Sequence, residues 1–233
     1  SCEDQDFTDV NNDATRVEVN TISAEMAKVR DYVPDYAVMA HRGSTFWAPE
    51  ETESAWRWAR EMGADYLESD LQCTKDGVIL ANHDDNLKRT TNIENVYSEL
   101  VPATRKAFYM RHGMSEAEAE KLVAADKASF RPYYAMSYMY EELLALDAGS
   151  WFNETSIEQA RESFSEQHQY ISALEDQIRY AEGKMLARDA DGERIYTVTG
   201  TWNPDKPRDC LTYKFEYVDD PQDTGNRPGV YIE

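Results

Sequence analysis

No apolar run in this chain approaches the roughly 20 residues needed to span a bilayer, and no secretory leader with a basic start, an apolar stretch and a small-residue cleavage site stands in its 233 residues. Cysteine is scarce: Cys2, Cys73 and Cys210 are far apart, with no pair at metal-binding spacing, which excludes a thiolate metal centre. They read as packing residues, although Cys73 and Cys210 could bridge. Positive charge is scarce as well, 24 Lys and Arg against 45 Asp and Glu, for a formal net charge of −21. A field of that sign repels nucleic acid and anionic membrane surfaces, so neither is expected as a partner. What remains is a chain with 41% apolar residues, enough for a real core.

Residues 1–20 are polar and acidic, and disorder is expected there. Cys2, followed by Glu3, Asp4, Asp6 and Asp9, resembles the start of a processed bacterial lipoprotein. That likeness implies a lipid anchor through Cys2 and a location in the periplasm or at the cell surface. Ile22, Met26, Val29 and Val33 recur at helical steps behind the candidate caps Thr21 and Ser23, predicting a helix that Pro34 ends. The run 36–40 reads as a strand buried on both faces, with His41 at its C-terminal end. Ala55, Trp56, Ala59 and Met62 form one stripe of a helix over 52–62, stopped by Gly63.

Residues 64–72 read as the next strand, with Tyr66, Glu68, Asp70 and Gln72 on one face. Lys75-Asp76-Gly77 is turn chemistry, and 78–81 returns from it as a hairpin that ends at His83-Asp84. Beyond residue 92 this rhythm stops. Eleven of the fifteen tyrosines fall in 93–227, an aromatic density that argues for folded structure. Ser115 with Glu118 forms a capping box for a helix to about Ala128, and Ser156 with Gln159 does so for a longer one. In the latter, Ile157, Ala160, Phe164, Ile171, Leu174, Ile178 and Ala181 make a core-facing stripe closed by Gly183. Alternation around Ile195–Thr199 and Tyr213–Tyr217 predicts two short strands, and Gly229–Glu233 another.

Glu68 and Asp70 on one strand face, with a further carboxylate at Glu233, form an all-oxygen donor set suited to Mg²⁺ or Ca²⁺. His41 and His83, at neighbouring strand ends, suit one acid and one base, because only imidazole has an unperturbed pKa near 6.5. Acid–base groups beside metal-ready carboxylates where strands end are the layout expected for hydrolysis on the C-terminal face of a parallel barrel.

These residues resemble the glycerophosphodiester phosphodiesterases. The likeness rests on His41-Arg42-Gly43, Pro49-Glu50-Glu51-Thr52, the stretch from Gly63 to Asp70, Thr74-Lys75-Asp76-Gly77, His83-Asp84 and Leu87-Lys88-Arg89-Thr90-Thr91. It extends more thinly to the stretch from Leu143 to Phe152 and to Val230-Tyr231-Ile232-Glu233. It implies an α/β fold, a (β/α)8 barrel, hydrolysing glycerophosphodiesters to sn-glycerol 3-phosphate and an alcohol. It also implies His41 and His83 as the acid–base pair, Glu68, Asp70 and Glu233 as ligands of a divalent cation, Ca²⁺ or Mg²⁺, and Arg42 as a phosphate contact. The substrate's own glycerol hydroxyl is then expected to attack phosphorus. Arg89 reads as a loop-holding residue, while Trp47 and Trp151 are candidates for a substrate mouth.

The expected organisation is an acidic tail and helix over 1–33, the first barrel strands and helix over 34–92, a large α+β insertion over 93–227, and the next barrel strand over 228–233. A whole barrel needs about 250 residues without insertions, so the N-terminal part of one is expected. Two other readings stay open: a related phosphodiesterase acting on lysophospholipid or sphingomyelin, and a module binding a glycan or lipid headgroup on a barrel scaffold.

Overall fold

A computed structural model describes residues 23–31 and 33–233. The Cys2 reading lies outside them. The described residues fall into two units, one up to residue 37 and one over 38–233. In the first, helix α1 (Ala24–Asp31) is shorter than the predicted 22–33, and Ser23 caps it, its Oγ accepting from Met26 N at 3.1 Å.

The second unit is organised on three parallel strands in the order β1 (Met39–His41), β2 (Tyr66–Ser69), β9 (Gly229–Ile232). His41 stands opposite Glu68, and Ser69 opposite Ile232. Helix α2 (Glu53–Glu61) makes the crossover from β1 to β2, as parallel pairing requires. Its predicted stripe is real at Ala55, Trp56 and Ala59, which are buried, whereas Met62 faces solvent. Among the described residues, β2 alone is paired on both sides, and Leu67, Glu68 and Ser69 on it are buried. The expectation that the first strand is buried on both faces fails. It starts three residues later than 36, and Val38 and Met39 are 60% and 44% exposed because β1 has a single neighbour among the described residues. Those residues do not close a barrel.

The predicted strand over 64–72 is two strands, for the chain leaves the sheet at Asp70. Beyond it β3 (Leu71–Cys73) and β4 (Ile79–Ala81) form the expected antiparallel hairpin. Its turn is locked from inside: Thr74 Oγ1 donates to Asp76 Oδ1 at 2.6 Å and accepts from Val78 N at 2.9 Å. Gly77 has φ +87°, and a Cβ there would lie 2.1 Å from the Arg208 carbonyl oxygen, so only glycine fits.

The remaining residues run through α3 (Ile93–Val96), α4 (Arg105–Arg111), α5 (Glu116–Ser129), α6 (Tyr140–Leu143), α7 (Ser150–Thr155) and α8 (Leu174–Ala181). Two antiparallel pairs follow, β5 (Lys184–Leu186) with β8 (Tyr217–Asp219) and β6 (Tyr196–Thr199) with β7 (Thr212–Phe215). The capping box of α5 forms as predicted, Glu118 N donating to Ser115 Oγ and Ser115 N to Glu118 Oε2. The long helix from Ser156 does not form. Short 3₁₀ turns at Ile157–Gln159 and Glu162–Phe164 replace it, and Glu166 and Gln167 have φ +53° and +66°, left-handed values that no α-helix contains. Tyr138, Tyr140, Tyr170, Tyr180 and Phe215 share one buried core with Trp56, Leu67 and Leu80, so the later residues pack on the same core as the parallel strands. Cys73 and Cys210 are free thiols.

Candidate active site

The C-terminal ends of the parallel strands deliver the acids. Glu68 is the third residue of β2, Asp70 follows its end, and Glu233 follows β9, with its backbone N 2.9 Å from Ser69 O. One carboxylate oxygen from each of Glu68, Asp70 and Glu233 lies within 4.8 Å of the others. Nearby hydrogen bonds fix Glu68 and Asp70 but do not use up their oxygens. Arg42 N donates to Glu68 Oε2 at 2.8 Å, and Asp70 N donates to Glu51 Oε1 at 2.9 Å. Glu68 Oε1, Asp70 Oδ2 and Glu51 Oε2 are buried without a hydrogen-bond partner. Buried carboxylate oxygens without partners cost several kcal/mol unless something neutralises them. An all-oxygen set of this kind fits a hard divalent cation.

The loop between β1 and α2 brings the basic partner. Arg42 and Glu51 both have positive φ, +58° and +54°, and Glu51 N donates to Arg42 O at 2.9 Å, so the loop is pinched shut at its base. Left-handed backbone at a non-glycine residue costs on the order of 1 kcal/mol. Here the two strained residues are those whose backbone or side chain holds Glu68 and Asp70. Gly43 follows with φ +89°, and a Cβ on it would stand 2.7 Å from that of Ala55 on α2. The Arg42 guanidinium lies against Glu50 at 3.2 Å, while its Nε is 3.3 Å from Asp70 Oδ2, near enough for charge attraction but not aligned for a hydrogen bond.

His83 arrives from the hairpin, one residue after Asn82, whose N donates to Asp70 O at 2.9 Å. His83 Nδ1 is 2.6 Å from Asp84 Oδ1, which leaves Nε2 as the uncommitted ring nitrogen. Asp84 in turn takes the Arg89 guanidinium at 2.7 and 3.1 Å, and Arg89 also bonds Glu50. A continuous chain, His83, Asp84, Arg89, Glu50, Arg42, thus runs from one imidazole to the acids. The Arg89 hydrogen bond is the main reason the Asp84 carboxyl is held down to about 2, with His83 adding to it. Burial pushes the Glu51 carboxyl up to about 8 despite the Asp70 N–H it accepts, and the charges of Asp70 and Glu50 push the same way.

All six residues singled out from sequence therefore stand at strand ends. Glu68, Asp70 and Glu233 form the cluster, Arg42 touches it, His41 is paired in register with Glu68, and His83 is reached through Asp84. Arg89 holds the loop as read. The parts that sequence reasoning missed are Glu50, Glu51 and Asp84. All three lie inside motifs already noted, but their roles depend on side-chain contacts across as many as 39 residues. The two tryptophans part company. Trp47 lines a groove of about 320 Å³ with Trp58, Met62 and Arg161, away from these residues, whereas Trp151 lines a cavity of about 680 Å³ that includes Arg89.

Comparison with known proteins follows the same line. A sequence profile of the glycerophosphoryl diester phosphodiesterase family matches residues 41–207. The chain is 31% identical over 126 residues to a glycerophosphodiester phosphodiesterase of Bacillus subtilis, covering 54% of this chain and 30% of that protein. It is 28% identical over 160 residues to a glycerophosphoinositol inositolphosphodiesterase of Mus musculus, covering 66% and 24%. The chain thus spans less than a third of the length of these curated relatives. Among solved structures, an Oleispira antarctica phosphodiesterase in complex with the product sn-glycerol-3-phosphate matches at 24% identity and TM-score 0.40, covering 68% of this chain and 44% of that one. A glycerophosphodiester phosphodiesterase from Agrobacterium tumefaciens matches at 25% and 0.38, covering 63% and 43%.

Proposed function

This chain belongs to the glycerophosphoryl diester phosphodiesterase family, and from that footing we propose that it carries the cation-binding and acid–base groups of an enzyme that hydrolyses glycerophosphodiesters to sn-glycerol 3-phosphate and an alcohol. The α/β fold is that of the family's (β/α)8 barrel, of which the described residues hold three adjacent parallel strands. The observation that carries the reading is the set of buried, unspent oxygens on Glu68, Asp70 and Glu51 beside Glu233. A scaffold with no chemistry gains nothing from burying carboxylate oxygens that it leaves without hydrogen bonds.

Glu68, Asp70 and Glu233 would hold a divalent cation, Ca²⁺ or Mg²⁺, which when bound supplies charge to the phosphoryl oxygens and orients the attacking hydroxyl. Arg42 binds the phosphate, its planar donors matching two oxygens at once. One of His41 and His83 takes the proton from the attacking glycerol hydroxyl and the other gives a proton to the departing alcohol, which leaves a cyclic phosphate. With the proton roles reversed, water then opens the ring to sn-glycerol 3-phosphate. Asp84 keeps His83 Nδ1 occupied so that Nε2 faces that work. Each histidine is worth roughly 10²–10⁴ in rate.

The test is release of glycerol 3-phosphate from glycerophosphodiesters by the purified protein with Ca²⁺, Mg²⁺ or EDTA, and by His41→Ala and His83→Ala. Loss of turnover with EDTA and in both variants is expected. Turnover that survives chelation removes the cation from the mechanism, and full activity in either variant removes that histidine.

A further inference from the structure

The cavity of about 680 Å³ lies between the loop after β4 and helices α3 and α7, and it has the size of a small-molecule site. Its walls include Lys88, Arg89, Asn92, Asn95, Trp151 and Glu154. The frame is fixed before any ligand enters. Asn92 N donates to Asp147 O at 3.1 Å, Asp147 N donates back to Asn92 Oδ1 at 2.8 Å, and the Asp147 carboxylate is spent on Gly149 N and Ser150 N at the start of α7. Arg89 is the shared wall. On its other side it bonds Asp84 and Glu50, which are bonded to His83 and Arg42.

The groups that face this space unspent define its ligand. Among the described residues, Asn92 Nδ2, the Asn95 side-chain amide and the Glu154 carboxylate make no hydrogen bond, and Lys88 Nζ has only the Tyr133 ring at 5.9 Å. Trp151 has committed its Nε1 to Ala148 O at 3.0 Å, leaving the ring to pack against a ligand. Donors and acceptors around a single aromatic face match a molecule that is hydroxyl on its edges and carbon on its flat side. A fatty chain would strand these polar groups without water. A quaternary ammonium is best held among several aromatic faces, and this cavity offers one, Trp151.

We infer that this cavity takes the alcohol half of the substrate and that the alcohol is a polyol, such as glycerol, a cyclitol or a sugar. The inference rests on the phosphodiesterase reading above. It places the departing alcohol beside the wall that holds Asp84 against His83.

The experiment compares kcat/KM for glycerophosphoinositol and glycerophosphocholine in the wild type, Trp151→Ala and Asn95→Ala. Asn95 is exposed on α3, so Asn95→Ala tests the cavity without threatening the fold. The wild-type ratio is expected to favour the inositol diester, and each variant to lower that ratio about tenfold, chiefly through KM, the scale of losing matched polar contacts. A wild-type ratio that favours choline, or a ratio that moves less than twofold in both variants, overturns the inference. If the wild type hydrolyses neither diester, it is the activity that fails. The cavity is then judged by saturation-transfer NMR of the wild-type and variant proteins with free myo-inositol and with choline. A myo-inositol signal lost in both variants supports the cavity assignment, and no signal, or a choline signal alone, overturns it.

Discussion

Two groups of buried acids in this molecule have the same chemistry and opposite fates. Asp176, Asp220 and Glu142, in the residues after the first hairpin, are saturated. Asp176 is held by Arg194, by the Tyr217 hydroxyl at 2.6 Å and by Ala173 N at 2.7 Å. Asp220 takes Arg57 at 2.6 and 2.8 Å and Arg60 at 2.6 Å, and Glu142 takes Arg105 at 2.8 and 3.1 Å. The acids at the strand ends are not saturated: among the described residues, Glu51, Glu68 and Asp70 supply every buried carboxylate oxygen without a partner. Burial alone therefore does not set the strand-end acids apart, but their unspent capacity does.

The widest separation of the two groups is expected in turnover. Glu68→Gln should cut kcat by about a thousandfold or more, the scale of losing cation-assisted charge stabilisation, while the metal-free protein unfolds at no lower urea concentration than the wild type. Asp176→Ala should do the reverse to the fold, costing about 3–5 kcal/mol in urea unfolding because it leaves Arg194 buried and unpaired. Equal destabilisation by the two substitutions would collapse the comparison. A saturating divalent cation should stabilise the wild type by about 2.7 kcal/mol at a hundredfold excess over its Kd and should not stabilise Glu68→Gln, as thermal melts would show.

Titration sharpens the same contrast. Arg89 holds Asp84 down to about 2, and Asp220 also falls to about 2, since Arg57, Gln222 N and Arg60 outweigh the burial that would raise it. Stability from these two acids is present above their unfolded values, near 4, and is lost as pH falls from there through 2. Glu51 behaves oppositely. With its carboxyl raised from 4.5 to about 8, the metal-free fold keeps a proton that the unfolded chain releases, so stability falls as pH rises across that window. Urea midpoints from pH 2 to 9 should show both slopes, and Glu51→Gln should flatten the upper one. An unchanged upper slope would place the proton elsewhere. At the small end, Arg179→Ala breaks exposed contacts to Glu175 and Glu182 and a loose one to the Tyr217 ring at 5.8 Å, and should change stability by less than about 1 kcal/mol.

Much of the strand-end face was legible because its signals are local. Gly43, Gly63 and Gly77 mark turns that need φ > 0, and alternation along 66–70 put Glu68 and Asp70 together. The break at Asp70 was not legible, since a strand leaving its sheet looks periodic on either side. The stripe from Ile157 to Ala181 misled for a related reason: Phe164, Ile171 and Ala181 are indeed buried, but from separate turns, with two left-handed residues between them. Glu50 could not be read as a bridge between two arginines. Arg42 and Arg89 are distant in sequence and meet on it only after the fold forms.

The hydrogen bond from Glu233 N to Ser69 O also has a consequence in time. During synthesis Glu68 and Asp70 emerge first, yet the third acid reaches them only after all of residues 93–227 have been made and the long loop between β2 and β9 has closed. Non-local closure of this kind is slow. Tight cation binding is therefore expected to be among the last events of refolding, lagging the burial of Trp56 and Leu67 in a stopped-flow experiment, so that a half-made chain carries two acids but no finished site.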